Sequence, residues 1–319
     1  MGKKITITGG AGFIGSNLAE LLAKQGHEVT VIDDLSTGLT SNLDLALVEL
    51  KVVCLTDTEN LKNALKGSEV IFHLGARGSV PRSIRNPITT HLVNTTGTIN
   101  VLEYAREFGT HVIFSSSSSV YGRNVAIPKE EKMWLGPITP YAASKLSAEA
   151  FVEAYGATYD FSTTIFRFFN VFGPKQRPDH QYAAVIPKWI WSAMNDKSIE
   201  LHGDGNQSRD FTYVKTVIEV LSKLAEKNLN YPGAINLAYG NNINLNYIIE
   251  LLRMYFPKIK VNTIPTRDGD VRYSENSPLL INSLIPEIRP DKFEQAFSET
   301  VEWIKNNRQS IEKNQIPVD

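Results

Sequence analysis

Short apolar runs and helical apolar patterns alternate over the first 120 residues of the chain. The apolar runs, each of a length typical of a buried strand, are KITITG, EVTVIDD, LKVVCL, EVIFHLGA and HVIFSSSS. Apolar residues recur at helical spacing between them, in FIGSNLAELLAKQG, LKNALKG and NTTGTINVLEYAREFG. Strands that alternate with helices predict an α/β fold with a doubly wound parallel sheet.

The alternation continues less regularly in the second half of the chain. Further β-rich runs occur at STTIFRFFNVFG, AINLAYG and KVNTIP. Further helical patterns occur at PYAASKLSAEAFVEAYGATY, YAAVIPKWIWSAMND, YVKTVIEVLSKLAEK and PDKFEQAFSETVEWIKNN. Prolines and loops become more frequent after about residue 170. We therefore predict a larger domain over 1–169, with a returning segment near 210–238, and a smaller C-terminal α/β lobe over 170–319.

Composition narrows the class of protein. The chain has 319 residues, 42% of them hydrophobic, and a net charge of −1 with interspersed acids and bases, so neither nucleic acid nor a membrane is an expected partner. The single cysteine, Cys54, excludes a disulfide within the chain and favours a reducing compartment. No run approaches the roughly 18 apolar residues that span a bilayer, and no signal peptide is evident, so we expect a cytoplasmic protein. No cluster has metal-ligand spacing, so no metal is expected.

A glycine-rich turn joins the first predicted strand to the first predicted helix. In ITITGGAGFIGSNLAELL, Gly9 allows a tight turn, Gly12 lets the backbone approach a pyrophosphate, and Gly15 lets the helix pack closely on the strand. Asp33 and Asp34 follow about 20 residues later, where a carboxylate accepts hydrogen bonds from the adenosine ribose and repels a 2′-phosphate. The pattern predicts a Rossmann domain that binds NAD rather than NADP, with an ordinary strand–helix turn as the alternative.

Two other segments carry candidate catalytic side chains. Tyr141 and Lys145 in PYAASKLSAEAF are four residues apart and lie on one face of the predicted helix, a spacing also found in packing or solvated pairs. The serines of FSSSSSVYG stand at the carboxyl end of a predicted strand, where ligands bind in α/β sheets. A polar loop held by local backbone hydrogen bonds is the alternative. For Ser115 and Ser116 we expect a position within the strand.

The chain resembles the extended short-chain dehydrogenase/reductase superfamily in the motifs TGGAGFIG, SSSVYG and YAASK and in their order. Its branch with UDP-hexose 4-epimerases, and within it the UDP-N-acetylglucosamine 4-epimerases, resembles the chain in GSVPRSIRNP, RFFNVFGP, YAAVIPKW, GDGNQSRDFTYV and RDGDVRYS. The resemblance covers nearly the whole chain. It implies an NAD-binding domain, a UDP-sugar-binding lobe, and reversible C4 epimerisation of UDP-GlcNAc and UDP-GalNAc through a transient 4-keto intermediate.

By this resemblance the catalytic hydroxyl lies three positions before the Val of VYG, at Ser117, and acts with Tyr141 and Lys145. A phenol has a pKa of about 10 and is a poor base at neutral pH. The Lys145 ammonium and the positive nicotinamide ring are expected to lower the pKa of Tyr141. Tyr141 then takes the proton of a sugar hydroxyl while Ser117 holds the same oxygen. Lys145 is also expected to bind the nicotinamide ribose.

The resemblance implies the remaining contacts as well. Those with NAD comprise Gly9, Gly12, Phe13, Ile14, Gly15, Asp33, Asp34, Asp57, Leu74, Ala76, Asn94, Tyr141 and Lys145. Those with the substrate comprise Ser79, Ser117, Ser118, Ser119, Asn170, Ala184, Val185, Trp189, Arg209, Arg267, Asp270 and Ser274. Among these, the arginines match diphosphate contacts, and Ala184, Val185 and Trp189 match a wall beside the uracil. A surface ion pair for each arginine, and a core position for Trp189, are the alternatives.

The residues after Ser117 bear on the type of reaction. In related sugar nucleotide 4,6-dehydratases those two positions carry Asp and Glu, and a 5,6-dehydratase type also uses a Glu there. Here they are Ser118 and Ser119, whose neutral hydroxyls are too weak to remove the C5 proton. Inversion at C4 is therefore the expected outcome. UDP-glucose or UDP-glucuronate 4-epimerisation, dehydration, and a non-catalytic NAD-binding sensor remain the alternatives, in that order.

Two expectations concern specificity and assembly. Ser274 matches a family position that faces the sugar, where a serine leaves room for a 2-N-acetyl group and a tyrosine would crowd it. We therefore expect the acetamido sugars to be accepted. The resemblance also implies a homodimer through the helices TTGTINVLEYAREFG and PYAASKLSAEAFVEAYG, although their apolar positions fit an internal core equally well.

Overall fold

The computed structural model describes residues 2–179, 183–227, 229–266 and 273–313. Its strands are β1 Lys4–Thr8, β2 Glu28–Asp33, β3 Glu49–Val52, β4 Val70–His73, β5 His111–Ser117, β6 Thr163–Phe168, β7 Val171–Phe172, β8 Ile199–His202, β9 Ser208–Asp210, β10 Thr212–Tyr213, β11 Ala234–Leu237, β12 Asn242–Asn244 and β13 Val261–Ile264. Its α-helices are α1 Phe13–Lys24, α2 Thr58–Leu65, α3 Val80–Arg85, α4 Pro87–His91, α5 Gly97–Phe108, α6 Pro140–Tyr159, α7 Val185–Met194, α8 Val214–Lys227, α9 Leu245–Tyr255, α10 Leu279–Leu284, α11 Phe293–Asn306 and α12 Arg308–Lys313. Two 3₁₀ turns cover Thr40–Asn42 and Ser118–Tyr121, and a π-helical turn covers Leu92–Thr96.

The chain divides into two compact units. The first unit consists of Met1–Val125, Glu131–Phe168 and Ile218–Leu237. The second unit consists of Ala126–Glu130, Phe169–Val217 and Ala238–Asp319. Both units are discontinuous in sequence, because the chain crosses between them several times.

The first unit is built on a seven-stranded sheet in the order β11-β6-β5-β4-β1-β2-β3, in which every neighbouring pair is parallel. The chain starts at β1, adds β2 and β3 on one side and then adds the later strands on the other, which is the doubly wound order. The central strand β4 is buried along its whole length, as expected for a parallel sheet covered by helices on both faces. The predicted Rossmann-type α/β fold is confirmed.

Helix α6 lies against the sheet beside β5 and β6. It begins where the Thr139 side chain accepts a hydrogen bond from Ala142 N at 3.2 Å and Pro140 occupies the first turn. Apolar side chains of α5, α6 and the adjoining strands form one core cluster: Leu102, Ala105, Val112, Phe114, Ala148, Val152, Phe161, Ile165 and Ala234. This core brings the first turns of α6 to the carboxyl end of β5.

The second unit contains three two-stranded sheets. Strands β7 and β10 pair in parallel, as do β8 and β13, whereas β9 and β12 are antiparallel. The rings of Phe172, Phe211 and Phe293 pack together at centroid distances of 5.3–6.0 Å and form part of its core. Each small sheet joins segments that are distant in the chain, so the unit depends on non-local pairing.

Most predicted elements are present. Several observed elements lie in segments for which none was expected: α3, α4, α9, α10, α12, β8, β9 and β12. Strand β8, for example, pairs with β13 about 60 residues later, and no local pattern shows such a partner. Within the described parts of the chain, no helix has both the length and the apolar composition required to cross a membrane.

Candidate functional site

Glycines around the turn between β1 and α1 stand where a side chain would not fit. Gly9 has a φ of +68°, and a Cβ there would lie 2.7 Å from the Gly75 backbone. A Cβ on Gly15 would lie 2.4 Å from the Gly9 carbonyl oxygen. Helix α1 begins at Phe13, and its N-cap residue Gly12 makes no side-chain capping bond. A bare turn that leads into a helix without a side-chain cap is the arrangement that binds a pyrophosphate, so these residues fit a dinucleotide.

Asp33 ends β2 beside this turn. Its buried carboxylate accepts hydrogen bonds from Ala11 N at 3.0 Å and from Leu35 N at 2.9 Å. A Cβ on Gly38 would lie only 2.7 Å from Asp33 Oδ1, so the carboxylate is approached closely by bare backbone. Burial raises the pKa of Asp33, while the two backbone donors oppose this effect. The position of Asp33 fits an acceptor for ribose hydroxyls.

Two other acidic residues predicted to contact the cofactor already have partners on the protein. Asp34 is exposed, and its carboxylate accepts from the Ser36 hydroxyl at 2.6 Å. Asp57 is also exposed and caps α2, accepting from Asn60 N at 3.2 Å. Both acids therefore organise the chain locally.

Three further predicted cofactor positions, Leu74, Ala76 and Asn94, follow β4 in the chain. Asn94 is 1% exposed, and its Oδ1 accepts from Arg77 N at 2.7 Å. Its Nδ2 donates to Ser144 Oγ at 2.9 Å on α6. Leu74 donates its backbone N–H to Thr8 O at 3.1 Å. Asn94 thus ties the segment after β4 to the helix that carries Tyr141.

Ser117 is the last residue of β5, and its hydroxyl interacts with Ser119 and with Tyr141. Ser117 Oγ accepts from Ser119 N at 3.2 Å and from Ser119 Oγ at 2.9 Å. Burial raises the pKa of Tyr141, while a hydrogen bond with the Ser117 side chain acts in the opposite direction. The fold therefore places the Ser117 side chain where it acts on the pKa of the Tyr141 phenol, although 24 residues separate the two in the sequence.

Lys145 lies one helical turn after Tyr141 and is buried. Its Nζ donates to the Ser115 carbonyl at 2.7 Å and lies 4.9 Å from the centre of the Phe114 ring. Burial lowers the pKa of Lys145 to about 7. Burial thus disfavours the charged form of both Tyr141 and Lys145. The expected lowering of the pKa of Tyr141 by Lys145 together with the nicotinamide ring stays a prediction.

The serine run divides into two parts. Ser115 and Ser116 lie within β5 and are buried, as predicted, whereas Ser117, Ser118 and Ser119 are partly exposed. Ser118 and Ser119 open the 3₁₀ turn that Ser117 caps. The five hydroxyls therefore belong to a strand end and an ordered turn rather than to a disordered loop.

Two buried charged residues adjoin this site that the sequence analysis did not name. Glu149 lies on α6 and Arg167 on β6, and Arg167 Nη2 contacts Glu149 Oε1 at 2.5 Å. The available signal was the spacing of four residues from Tyr141 to Lys145 and again from Lys145 to Glu149, which continues one stripe along the helix. Arg167 gave no such signal, because β6 reads as an ordinary strand.

Other predicted substrate residues are distributed over both units. Ser79 in the first unit caps α3 by accepting from Arg82 N at 3.3 Å. Asn170 in the second unit is exposed with a φ of +29°, and its Nδ2 donates to Asp210 O at 3.0 Å. Arg209 is partly exposed, and its Nη1 donates to Ser208 O at 2.9 Å.

The predicted uracil-side residues surround the start of α7. Ala184 is the N-cap of this helix and is exposed, and Val185 is its first residue. Trp189 is 3% exposed, and its Nε1 donates to Glu200 O at 3.2 Å. Such burial is what the alternative, a core position for Trp189, predicts.

Ser274 is partly exposed, and its backbone N–H donates to Ser208 O at 3.1 Å. Arg267 and Asp270 lie outside the described residues. Within the described residues, no group of three or more His, Cys, Asp or Glu side chains is arranged to hold a metal ion.

Comparison with known proteins places these features in a family context. The model of the family described as "NAD dependent epimerase/dehydratase family" matches residues 5–238. A solved UDP-N-acetylglucosamine 4-epimerase from Methanobrevibacter ruminantium M1, in complex with UDP-N-acetylmuramic acid, is 35% identical with a TM-score of 0.90, covering 96% of this chain and 99% of that one.

Two further similar proteins are 4-epimerases of other UDP-sugars. A solved UDP-glucose 4-epimerase from Thermotoga maritima, with UDP-glucose, is 30% identical with a TM-score of 0.89, covering 96% of this chain and 99% of that one. A UDP-glucuronate 4-epimerase from Thermodesulfobacterium geofontis is 33% identical over 323 residues, covering 96% of this chain and 97% of its own length. All three relatives are 4-epimerases, and their sugars differ in the groups at C2 and C6.

Proposed function

Since this chain belongs to the NAD dependent epimerase/dehydratase family, we propose that it is an isomerase that inverts C4 of a UDP-sugar, with UDP-GlcNAc and UDP-GalNAc as the pair it interconverts. The observation that carries the proposal is the placement of Tyr141 and Lys145 on α6 against the carboxyl end of β5. There Lys145 Nζ donates to Ser115 O at 2.7 Å, and the Ser117 side chain acts on the pKa of the Tyr141 phenol. A hydroxyl, a phenol and an amine at this edge of a doubly wound sheet suit proton transfer beside a bound dinucleotide.

The cofactor is NAD, and the residues that would hold it are those of the glycine-rich turn together with Asp33. When bound, NAD supplies reversible two-electron oxidation at the sugar C4. The bare turn before α1 would receive the pyrophosphate, and the Asp33 carboxylate would accept from the ribose hydroxyls. A carboxylate at that position repels a 2′-phosphate, which supports NAD over NADP.

The protein's own groups would manage the proton of the sugar C4 hydroxyl. Tyr141 would take this proton as the hydroxyl becomes a ketone and return it when the ketone is reduced. Ser119 donates to Ser117 Oγ, so the Ser117 hydrogen is directed at another acceptor, either the phenol or the sugar oxygen. Burial lowers the pKa of Lys145 to about 7, so a negative charge on Tyr141 would find a lysine that readily accepts or loses a proton near neutral pH.

Inversion is favoured over elimination by the residues around Ser117. Dehydration needs a base strong enough to remove the C5 proton, and the two positions after Ser117 are serines. The hydroxyl of Ser119 is already engaged with Ser117 Oγ at 2.9 Å. If the 4-keto sugar rotates in the site before it is reduced, the hydride returns to the opposite face of C4. The product then has the opposite configuration at that carbon.

The acetamido sugars are the finer part of the proposal. It rests on Ser274, whose small side chain would leave room for a 2-N-acetyl group if the position faces the sugar as in the family. Asn170, Arg209, Ala184, Val185 and Trp189, together with Arg267 and Asp270, are proposed contacts with the rest of the nucleotide sugar. The similarity to a UDP-N-acetylglucosamine 4-epimerase supports the choice of sugar.

The test is turnover of three nucleotide sugars by the purified protein in the presence of NAD. UDP-GlcNAc, UDP-glucose and UDP-glucuronate are incubated separately, and the products are resolved by anion exchange. We expect UDP-GalNAc to form faster than either other epimer. A product that has lost water would contradict epimerisation, and no product from any sugar would favour a sensor.

A pair of tyrosine variants checks the assigned base. Tyr141→Phe is expected to lower kcat by roughly 10²- to 10⁴-fold, because the proton acceptor is removed. Tyr155→Phe is the matched control, since this tyrosine is on the same helix and its hydroxyl donates to Glu103 at 2.7 Å, away from Ser117. Equal activity of Tyr141→Phe and the control would exclude Tyr141 as the base.

We also propose that the protein forms a homodimer through α5 and α6. Large apolar side chains are exposed on these helices: Phe108 at 54%, Phe151 at 38% and Tyr159 at 44%. Such residues fit a surface covered by a second copy. Light scattering is expected to give twice the chain mass, and a monomer mass at every concentration would reject the dimer.

A further inference from the structure

Five buried polar side chains form a connected set beneath the end of β5. We call this set the strand-end network, and it consists of Ser116, Tyr121, Glu149, Arg167 and Asn236. None is more than 5% exposed. All five belong to the first unit, and they come from β5, the following 3₁₀ turn, α6, β6 and β11.

Glu149 is the centre of the network. Its Oε2 accepts from Ser116 Oγ at 2.5 Å, and its two oxygens accept from Arg167 Nε at 3.2 Å each. Arg167 Nη2 adds a third contact, to Glu149 Oε1 at 2.5 Å. One carboxylate thus joins the strand that carries Ser117 to the neighbouring strand and to the helix that carries Tyr141.

Arg167 extends the connection to the segment after Ser117. Its Nη1 donates to the Tyr121 hydroxyl at 2.9 Å, and the guanidinium carbon lies 5.0 Å from the centre of the Tyr121 ring. Tyr121 in turn donates to Asn236 Oδ1 at 2.8 Å on β11. Burial opposes the charge of Arg167, but Glu149 and Tyr121 outweigh it and raise the pKa of Arg167.

The backbone register explains how these side chains meet. Ser116 and Arg167 are direct partners in the β5–β6 ladder, so their side chains project from the same face of the sheet. Glu149 lies eight residues after Tyr141 and four after Lys145, and all three therefore lie along one stripe of α6. The network and the predicted catalytic residues therefore both lie where α6 packs against β5.

We infer that the strand-end network positions Ser117 against Tyr141, and that Ser116 and Glu149 act as positioning residues for the reaction. Ser117 lies between two anchored residues, because Ser116 precedes it and Tyr121 closes the 3₁₀ turn that it caps. Tyr141 is anchored through Glu149 two turns further along α6. The inference rests on the proposed function, since it assigns the network to the same proton transfer.

Stability alone is a weak reason for such a network. A buried ion pair repays the cost of removing its charges from water only with excellent geometry, and apolar side chains of similar volume often do as well. A displacement of about 1 Å at a reacting group, by contrast, can cost roughly 100-fold in rate. Ser117 and Tyr141 lie on β5 and α6, the two elements that the Ser116–Glu149 bond joins, so their arrangement is the property that the network is suited to fix.

The test uses two variants, of which the first removes the network's link to β5 and leaves both members of the ion pair in place. Ser116→Ala deletes the bond to Glu149, and we expect kcat to fall by roughly tenfold while KM stays within about twofold. Glu149→Gln weakens the hold on both Ser116 and Arg167, and kcat is expected to fall by roughly 100-fold with the same split from KM. Thermal melts establish that each variant is folded at the assay temperature.

The matched control is Ser222→Ala. Ser222 is also buried, 2% exposed, and its hydroxyl donates a side-chain hydrogen bond to Gln25 Oε1 at 2.8 Å, which is outside the strand-end network. Loss of that bond is expected to leave kcat and KM unchanged. The inference is overturned if Ser116→Ala turns over within about twofold of the wild type, or if Ser222→Ala loses as much kcat.

A second measurement does not depend on turnover. Crystal structures of the wild type and Glu149→Gln are compared at the contact between Ser117 Oγ and the Tyr141 hydroxyl. We expect a hydrogen bond in the wild type and a longer separation in the variant, and an unchanged contact would overturn the inference. The proposed function is judged separately, from the product that the wild type forms.

Discussion

Each of the two units contains a buried carboxylate close in sequence to residues proposed for the reaction or the substrate, Glu149 in the first and Asp210 in the second. The two carboxylates accept hydrogen bonds from different kinds of donor. Glu149 in the first unit is held by side chains, with Arg167 and Ser116 as its donors. Asp210 in the second unit, 0% exposed, is held by backbone: Oδ2 accepts from Gly240 N at 2.9 Å and from Asn276 N at 3.1 Å.

The third donor to Asp210 is Asn241 N at 3.2 Å, so the described hydrogen bonds to this carboxylate come from three main-chain N–H groups. Without a cation, burial raises the pKa of Asp210 to about 6, although the N–H groups oppose the shift. The position of Glu149 depends on particular side chains, because its partner is the guanidinium of Arg167. The position of Asp210 depends on the backbone conformation of the loops that donate to it. Side chains near Asp210 can therefore change without loss of these hydrogen bonds.

The largest expected effect breaks the side-chain pair. Arg167→Met leaves Glu149 buried without its cation, and we expect the free energy of unfolding to fall by about 3–5 kcal/mol in chemical denaturation. The double variant Glu149→Leu/Arg167→Met removes both charges and is expected to recover most of that loss while kcat stays low. A loss below about 1 kcal/mol in the single variant would show that the pair is not needed for the fold.

The next effect concerns the pH dependence of stability through Asp210. Burial raises its pKa to about 6 in the folded protein, above the roughly 3.9 of an unfolded aspartate. The carboxyl therefore favours folding below about pH 4, and this contribution is lost as the pH rises through about 6. Between pH 4 and 7 the wild type is expected to lose about 3 kcal/mol relative to Asp210→Asn, measured by denaturation at each pH. A difference that does not vary with pH would mean that Asp210 ionises normally.

The smallest expected effect comes from exchanging a side chain in the second unit whose backbone keeps its hydrogen bond. The Ser274 backbone is held by Ser208 O at 3.1 Å, so its side chain can be exchanged with little change in melting temperature. Ser274→Tyr is expected to lower kcat/KM for UDP-GlcNAc by about tenfold relative to UDP-glucose, because the ring would crowd the acetamido group. Equal losses on both sugars would remove Ser274 as the gate.

The elements that were predictable are those whose signal lies within a short stretch of chain. The glycine turn, the serine-rich end of β5 and the start of α6 are local motifs, and the structure has a strand, a turn or a helix at each. The contact between Ser117 and Tyr141 followed from a family resemblance, and the packing of α6 on β5 produces it. Strand β8 was not predicted, and its partner β13 lies about 60 residues later in the chain, so the pairing leaves no local signal.

The partners of buried charges were not predictable for a different reason. Ser116, Glu149 and Arg167 are distant in sequence, and nothing local links them before β5, β6 and α6 pack together. The same holds for the pKa of Lys145, which nothing in the sequence indicated. Burial lowers this pKa to about 7, and burial is a property of the whole fold.

The sequence by itself determined the doubly wound sheet, the cofactor turn and the identity of the groups proposed for chemistry, because periodicity, glycine conformation and motif spacing are written in neighbouring residues. Only the tertiary structure decided which of those groups meet, which carboxylates are buried, and what pairs with each charge. Electrostatic energies depend on distance and on exclusion of water, and both are established only when segments far apart in the chain pack against each other.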